Sequence, residues 1–356
     1  MPASRNLHIK RRFNPLHKVL SYFKSPKVGI DLGTTNSLVM VENKGIVLEE
    51  PTLVAIDITT QQIVAVGSQA KYMLGKSPDT IVVKKPLRGG VISNAKVTQK
   101  LVSYLLNKSL GSVRLARPNV MISTPVGITS VEKRAIIKTL LEAGANKIYL
   151  IPEPLAAAIG AGLAIQESFG NMIINIGGGT TEIAVISLGG IVVAQSVRIA
   201  GDKFNEDIIQ YARKKLKIRI GEQMAEKIKI NIGMALATES PLKMEVSGTK
   251  INTGLPTTIE FTSNHVAEAL KGSLEEIVQN VRKILEKTPP ELVADIKDHG
   301  IILSGGTAQL RHLDTLLSEA LNLPVYVADE PLYCVIRGIE QALGYVDVLE
   351  KSLTVA

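Results

Sequence analysis

The 356-residue chain has a single cysteine, Cys334, and no tryptophan. One thiol builds neither a disulfide framework nor a multi-cysteine zinc site, and such usage suits a reducing cytoplasm. Long apolar runs are missing too. The longest, Leu155 to Ile165, falls far short of the roughly 20 residues that span a bilayer, so no transmembrane helix is expected. Two common phosphate motifs are also absent: there is no G-x-x-x-x-G-K-[ST] loop, and no G-x-G-x-x-G opens a helix after a strand.

Acid is lacking from one stretch. Residues 1–27 carry seven basic side chains (Arg5, Lys10, Arg11, Arg12, Lys18, Lys24, Lys27) and no Asp or Glu. The formal charge of +8 therefore sits in this arm, because the rest of the chain holds 34 basic against 33 acidic residues. A nucleic-acid binder should spread its positive charge over the folded body, so no nucleic-acid partner is expected. The length suffices for two domains.

Within the arm, Asn14 can cap a helix whose first position is Pro15. Leu16, Val19, Leu20 and Phe23 then recur as one apolar stripe, with His17, Lys18, Ser21 and Lys24 on the other side. A short basic amphipathic helix of this kind can lie in an anionic membrane surface. The same stripe could instead dock on the body, or the arm could stay unfolded. A secretory signal fits poorly, since polar residues interrupt the apolar ones. One such helix is a weak anchor, which polymerisation would multiply by avidity.

The body contains a duplication. Val28-Gly29-Ile30-Asp31-Leu32-Gly33-Thr34-Thr35-Asn36-Ser37-Leu38 reads strand, tight glycine turn, strand. The second copy lies 144 residues on: Ile173-Ile174-Asn175-Ile176-Gly177-Gly178-Gly179-Thr180-Thr181-Glu182-Ile183. A further apolar strand follows each, at Ile46-Val47-Leu48 and Ile191-Val192-Val193. Glycines here permit positive φ and close backbone approach, and N–H groups and threonine hydroxyls suit phosphate oxygens. Two such hairpins face to face would grip a polyphosphate from both sides. A third loop, Ser304-Gly305-Gly306-Thr307-Ala308, also follows an apolar strand.

These residues resemble the superfamily of actin, DnaK-type chaperones and sugar kinases, and within it the bacterial actin family MreB/Mbl. The likeness runs from about Lys27 to the C-terminus, through GIDLGTTNSLV (29–39), KGIVLEEP (44–51), VEKRA (131–135), EPLAAAIGAGL (153–163), IGGGTTEIAVISLGGIV (176–192) and EKTPPELVADI (286–296). It implies an α/β, actin-like duplicated ATPase fold, with two large and two small subdomains around a nucleotide cleft. After the arm, 1–26, the expected divisions are 27–54, 89–167 and 337–356 (subdomain IA), 55–88 (IB), 168–203 and 267–336 (IIA), and 204–266 (IIB). Periodicity supports helices at 131–143, 205–216, 266–286 and 308–321, with β-like text at 243–262.

The resemblance also implies ATP or ADP with Mg²⁺ as cofactors. Gly33, Thr34, Thr35 and Asn36 would form the first phosphate loop, and Gly177, Gly178, Gly179 and Thr180 the second. The helix segment Glu226-Lys227-Ile228-Lys229 would flank the nucleoside, and Gly305, Gly306, Thr307 and Ala308 would form the adenosine loop. Glu153 would position the attacking water, with Asp31, Asn175 and Thr181 in the catalytic group and Asp31 near Mg²⁺ through its water shell. Without the resemblance, Glu226 and Lys229 read as a surface ion pair on one helix, and Glu153 as an acid opening a helix.

Some positions depart from the family pattern. Asn175 stands where an Asp is usual; an amide keeps an acceptor but loses the charge and cannot act as a base, so slow hydrolysis is expected. Pro152 replaces a second glutamate, and Arg337 stands where a smaller residue or Lys is usual. In the loop Ser112-Val113-Arg114-Leu115-Ala116-Arg117, where some members insert an apolar pair into the membrane, Leu115 remains but Ala116 is small. The function implied is a filament of ATP-bound subunits, a homopolymer of paired protofilaments. It would lie in the cytoplasm on the inner face of the cell membrane, where it organises the cell-wall elongation machinery and so helps to determine cell shape. The alternatives are another bacterial actin, positioning plasmids or organelles, and a small-molecule kinase of the same fold.

Overall fold

The computed structural model describes residues 25–111, 116–346 and 354–355. The arm stripe Leu16, Val19, Leu20 and Phe23, and Leu115 of the loop, lie outside them.

The first half opens with β1 (Lys27–Leu32), β2 (Asn36–Val41) and β3 (Gly45–Pro51) as an antiparallel meander. Next come β4 (Val54–Asp57), β5 (Ile63–Val66), α1 (Ser68–Met73) and β6 (Ile81–Lys84), whose strands pair as a small sheet in the order β5-β4-β6. The minor hairpin of β7 (Leu87–Arg88) and β8 (Val91–Ile92) leads to α2 (Ala95–Leu110), β9 (Asn119–Thr124), α3 (Ser130–Glu142), β10 (Ile148–Pro152) and α4 (Glu153–Gly160).

The second half repeats the plan with β11 (Asn171–Ile176), β12 (Thr181–Ser187) and β13 (Gly190–Val197). Then follow α5 (Gly201–Lys214), β14 (Ile218–Arg219), α6 (Glu222–Ile232), β15 (Lys243–Lys250), β16 (Pro256–Thr262), α7 (Ser263–Lys287) and α8 (Pro290–His299). It ends with β17 (Ile301–Ser304), a 3₁₀ turn at Gly306–Gln309, α9 (Leu313–Leu321) and β18 (Val325–Val327), after which α10 (Cys334–Gly344) and β19 (Thr354–Val355) return the chain to the first half, where β19 pairs with β10. The two large sheets run β19-β10-β9-β1-β2-β3 and β13-β12-β11-β17-β18, and a small sheet β14-β15-β16 belongs to the second half.

Local chemistry explains the elements. β11 is buried at every residue, as expected of a central strand read from a continuous apolar run. α3 starts at a capping box, in which Thr129 and Glu132 satisfy each other's backbone N–H groups. Thr262 and His265 do the same for α7. One stripe of α7, including Val266, Leu270, Leu274, Ile277, Val281 and Ile284, is buried in the core of the second half. The apolar run after Glu153 stays helical only to Gly160.

Two large cores fill the halves, a small one lies between α1 and the sheet β5-β4-β6, and a further cluster joins the halves. Met40 and Tyr149 from the first half, Ile173 and Ile186 from the second, and Ile336 and Ile339 of α10 share this last cluster. There α4 and α10 meet backbone to backbone: a Cβ at Gly338 would lie 1.7 Å from the Ala156 carbonyl oxygen, and one at Gly160 1.8 Å from that of Cys334. Among the described residues no helix is long and apolar enough to cross a membrane.

Candidate functional site: the cleft between the halves

A cavity of about 530 Å³ opens between the two halves. Its wall takes Asp31, Gly33, Thr34, Thr35, Asn36 and Glu153 from the first half, and Asn175, Gly177, Gly178, Gly179 and Thr180 from the second. Glu226, Lys229, Gly305, Gly306 and Thr307 line it too. The duplicated hairpins thus converge as their spacing suggested. The reason for their glycines is more specific than φ freedom. Among the glycines of the three loops only Gly305, at φ 86°, has positive φ. At Gly178 a Cβ would sit 1.9 Å from Thr35 Oγ1, and at Gly179 2.4 Å from Thr34 Oγ1. The loops of the two halves touch there, and a side chain would hold them apart.

Strand and helix geometry sorts the remaining residues. Thr181 follows Thr180 on an extended strand and so faces the other way; its buried hydroxyl donates to the Ile199 carbonyl at 2.5 Å and it does not line the cleft. On α6, Glu226, Lys229 and Ile230 share the cleft-facing side, whereas Lys227 is exposed and Ile228 fully buried in the core. Ala308 is buried behind its loop rather than on the wall. Glu226 and Lys229 do not form the helix-surface pair that their spacing alone suggests. Glu226 bonds Lys71 of α1 at 3.1 Å, and Lys229 Nζ donates to the Gly201 carbonyl at 2.8 Å. Burial pulls the Lys229 ammonium down to about 8.

Carboxyl groups crowd the base of the cleft. Asp31 accepts a hydrogen bond from Ser123 Oγ at 2.8 Å, and burial raises it to about 6. Glu153, in the first turn of α4, accepts from Asn175 Nδ2 at 2.7 Å. Burial, then the negative charges of Glu182 and Asp31, push Glu153 well above the usual carboxylate range. Glu182 was not singled out by sequence, yet it links the halves: it accepts from Ser196 Oγ at 2.6 Å and, across the junction, from the Val126 N–H at 3.0 Å. Burial raises it to about 7.

Further contributors were invisible in the sequence. Ser123, Gly201, Ile230, Arg311 and Leu332 also line the cavity. Lys85 bridges its mouth, bonding Asp202 at 3.1 Å and Glu222 at 2.7 Å. Burial opposes its charge, but these two carboxylates more than offset this and raise its pKa. Gln223 Nε2 donates to the carbonyls of Lys71 at 3.3 Å and Leu74 at 2.9 Å. Arg337 lies off the cleft wall and pairs with Glu330, which accounts for its presence.

A duplicated α/β body with two glycine hairpins meeting across a cleft defines an actin-like protein. The chain belongs to the MreB/Mbl family, whose profile, described as "MreB/Mbl protein", matches residues 25–351. The cell shape-determining protein Mbl of Bacillus cereus is 44% identical over 324 residues, 91% of this chain and 97% of that protein. The cell shape-determining protein MreB of Escherichia coli K12 is 46% identical over 330 residues, covering 91% and 95% respectively. The crystal structure of MreB5 of Spiroplasma citri bound to AMPPNP superposes with a TM-score of 0.88 at 34% identity, over 92% of this chain and 99% of that one.

Proposed function

We propose that this protein is a nucleotide-switched, MreB-type cytoskeletal filament subunit that binds ATP with Mg²⁺, assembles on the inner membrane surface and helps to set cell shape. The observation that carries this reading is the contact of the two glycine loops across the cleft, Gly178 and Gly179 against Thr35 and Thr34. A polyphosphate between those loops would meet N–H groups and hydroxyls from both halves at once. It would then favour the closed arrangement over an open one, the differential affinity any ligand-driven switch requires.

The donor set suits Mg²⁺. Asp31 and Glu153 bring carboxyl oxygens to the first half's wall of the cavity, and no cluster of three or more ligating side chains is found among the described residues. A hard cation that keeps several waters and leans on phosphate oxygens needs no protein cage. When bound, it would offset charge on the phosphates. Glu153 would orient water beside the terminal phosphate, helped by the Asn175 amide, whose lack of charge makes turnover slow.

The membrane reading draws support from register. Lys27 pairs with Asn119, and the Asn119 N–H donates to the Pro26 carbonyl at 2.9 Å. Pro26 and Asn119 therefore lie side by side at one end of one sheet, which supports reading the arm before the one and the loop before the other as acting together. Together they would face anionic lipid, with the cell-wall elongation machinery reached through it. Electron microscopy of the protein with anionic liposomes, with and without Mg-ATP, tests the whole. Filaments on lipid only with nucleotide are expected, and their absence under every nucleotide would remove the proposal.

A further inference from the structure

Glu153 opens α4, a helix of 8 residues whose N-terminal flank, Pro152, makes no side-chain cap bond and whose first turn contains Pro154. So short a helix owes its order to packing more than to its own hydrogen bonds. On this helix the packing is made by backbone. Ala156, Ala157 and Ala158 are fully buried in the cluster that joins the halves, and α10 approaches them through a glycine. A Cβ at Gly338 would lie 1.7 Å from the Ala156 carbonyl oxygen, 2.6 Å from its carbonyl carbon and 3.0 Å from Ala156 Cα. A Cβ does not come closer than 3.0 Å to another heavy atom. A long side chain would absorb the overlap by turning to another rotamer. A carbonyl inside a helix has no such freedom, so the helix itself would move by more than an ångström.

Ala156 follows Glu153 by three residues, on the same side of the helix, and a displacement there reaches Glu153 within one turn. The Glu153 carboxylate bonds Asn175 of the other half at 2.7 Å, a contact that an ångström of movement breaks. A second glycine contact on the same helix is placed differently. A Cβ at Gly160, the last residue of α4, would meet the Cys334 carbonyl oxygen at 1.8 Å and the Gly338 nitrogen at 2.7 Å. It would press the tail of the helix, about two turns from Glu153, where helices yield most readily.

We infer that Gly338 is a positioning residue for hydrolysis: the bare backbone it presents seats the first turn of α4 and so fixes where the Glu153 carboxylate stands. This rests on the reading of the cleft as an ATPase site with Glu153 beside the attacking water. Gly338 does not line the cavity and acts through α4 alone.

Single-turnover phosphate release, nucleotide affinity and the midpoint of denaturant unfolding, measured for the wild type, Gly338→Ala and Gly160→Ala, test it. The added methyl is the same in both variants, and both should lower the midpoint. Gly338→Ala should slow release at least about tenfold with affinity changed less than about twofold, because misplacing a catalytic group acts on the chemical step. Gly160→Ala should keep release within about threefold of the wild type, since the end of a helix gives way. An unchanged rate for Gly338→Ala would overturn the inference. So would an equal loss in the two variants, because the contact would then serve the joint between the halves and not Glu153. Loss of nucleotide binding or of cooperative unfolding in Gly338→Ala would overturn it as well, by making the contact purely structural. Binding without release by the wild type would remove the inference, yet leave nucleotide-switched assembly standing. Absence of nucleotide binding by the wild type would bring down the functional reading itself, and this inference with it.

Discussion

At the scale of single residues, Asn175 decides most. It sits between Ser304, which is fully buried, and Glu153, which is half-buried on the cleft wall. Replacing it by Asp supplies the negative charge that the amide lacks. Asn175→Asp should raise single-turnover phosphate release by about tenfold, a modest share of what acid–base groups contribute; equal rates would show that Asp31 and Glu153 suffice. The departure at 175 was legible in sequence, because a strand, a glycine turn and two threonines frame the position. Its consequence was not. A sequence shows an amide, but only the structure shows that it lies between Glu153 of the other half and Ser304 of the neighbouring strand.

At the scale of elements, two arrangements control stability. The first is the crossing of α4 and α10, where the Gly338 Cα lies against the Ala156 carbonyl. Gly338→Ala should cost about 1–3 kcal/mol by forcing the helices apart, read as a lower midpoint in denaturant unfolding. The second is the set of buried carboxyls on β1, α4 and β12. Asp31 and Glu182 are raised by burial to about 6 and about 7, whereas unfolded carboxyls ionise near 4. Between those limits the folded chain binds more protons than the unfolded one. The stability they contribute is therefore present at low pH and is lost as pH rises through the folded values. Melting of nucleotide-free protein from about pH 5 to about 7.5 should show this loss, and Glu182→Gln should flatten the profile. The sequence marked β1 and β12 as strands and Glu153 as an acid that could open a helix, but its helical periodicity picked out α3, α5, α7 and α9 and not α10. It could not find Glu182, whose place in a polar row depends on cross-strand register and on a backbone N–H from the other half.

At the scale of the whole molecule, the cleft is spanned at its mouth as well as its base. Lys85 and Lys71 from the first half reach Asp202, Glu222 and Glu226 of the second. These contacts tie α1 and the end of β6 to α5 and α6 across the cleft, where partial burial limits screening. Lys85→Ala should speed release of a fluorescent ATP analogue about fivefold. Its release should also depend less on salt than that of the wild type; identical rates and salt slopes would show that the bridge does not gate the cleft.

The sequence by itself determined what local chemistry can encode: the duplicated glycine turns, the apolar strands that flank them, the basic arm and the family. Those features rest on residues adjacent in the chain, where the pattern is the cause. Tertiary structure alone decided which glycines keep the loops in touch, that Glu226 pairs with Lys71 rather than Lys229, and that Thr181, Lys227, Ile228 and Ala308 stand off the cleft wall. It also joined Ser304 to Asn175 and Lys85 to Asp202. The pairings among these join residues far apart in the chain and are set by how two sheets and their helices pack, while strand and helix periodicity sorts Thr181, Lys227 and Ile228 only once that packing has fixed which side is the cleft.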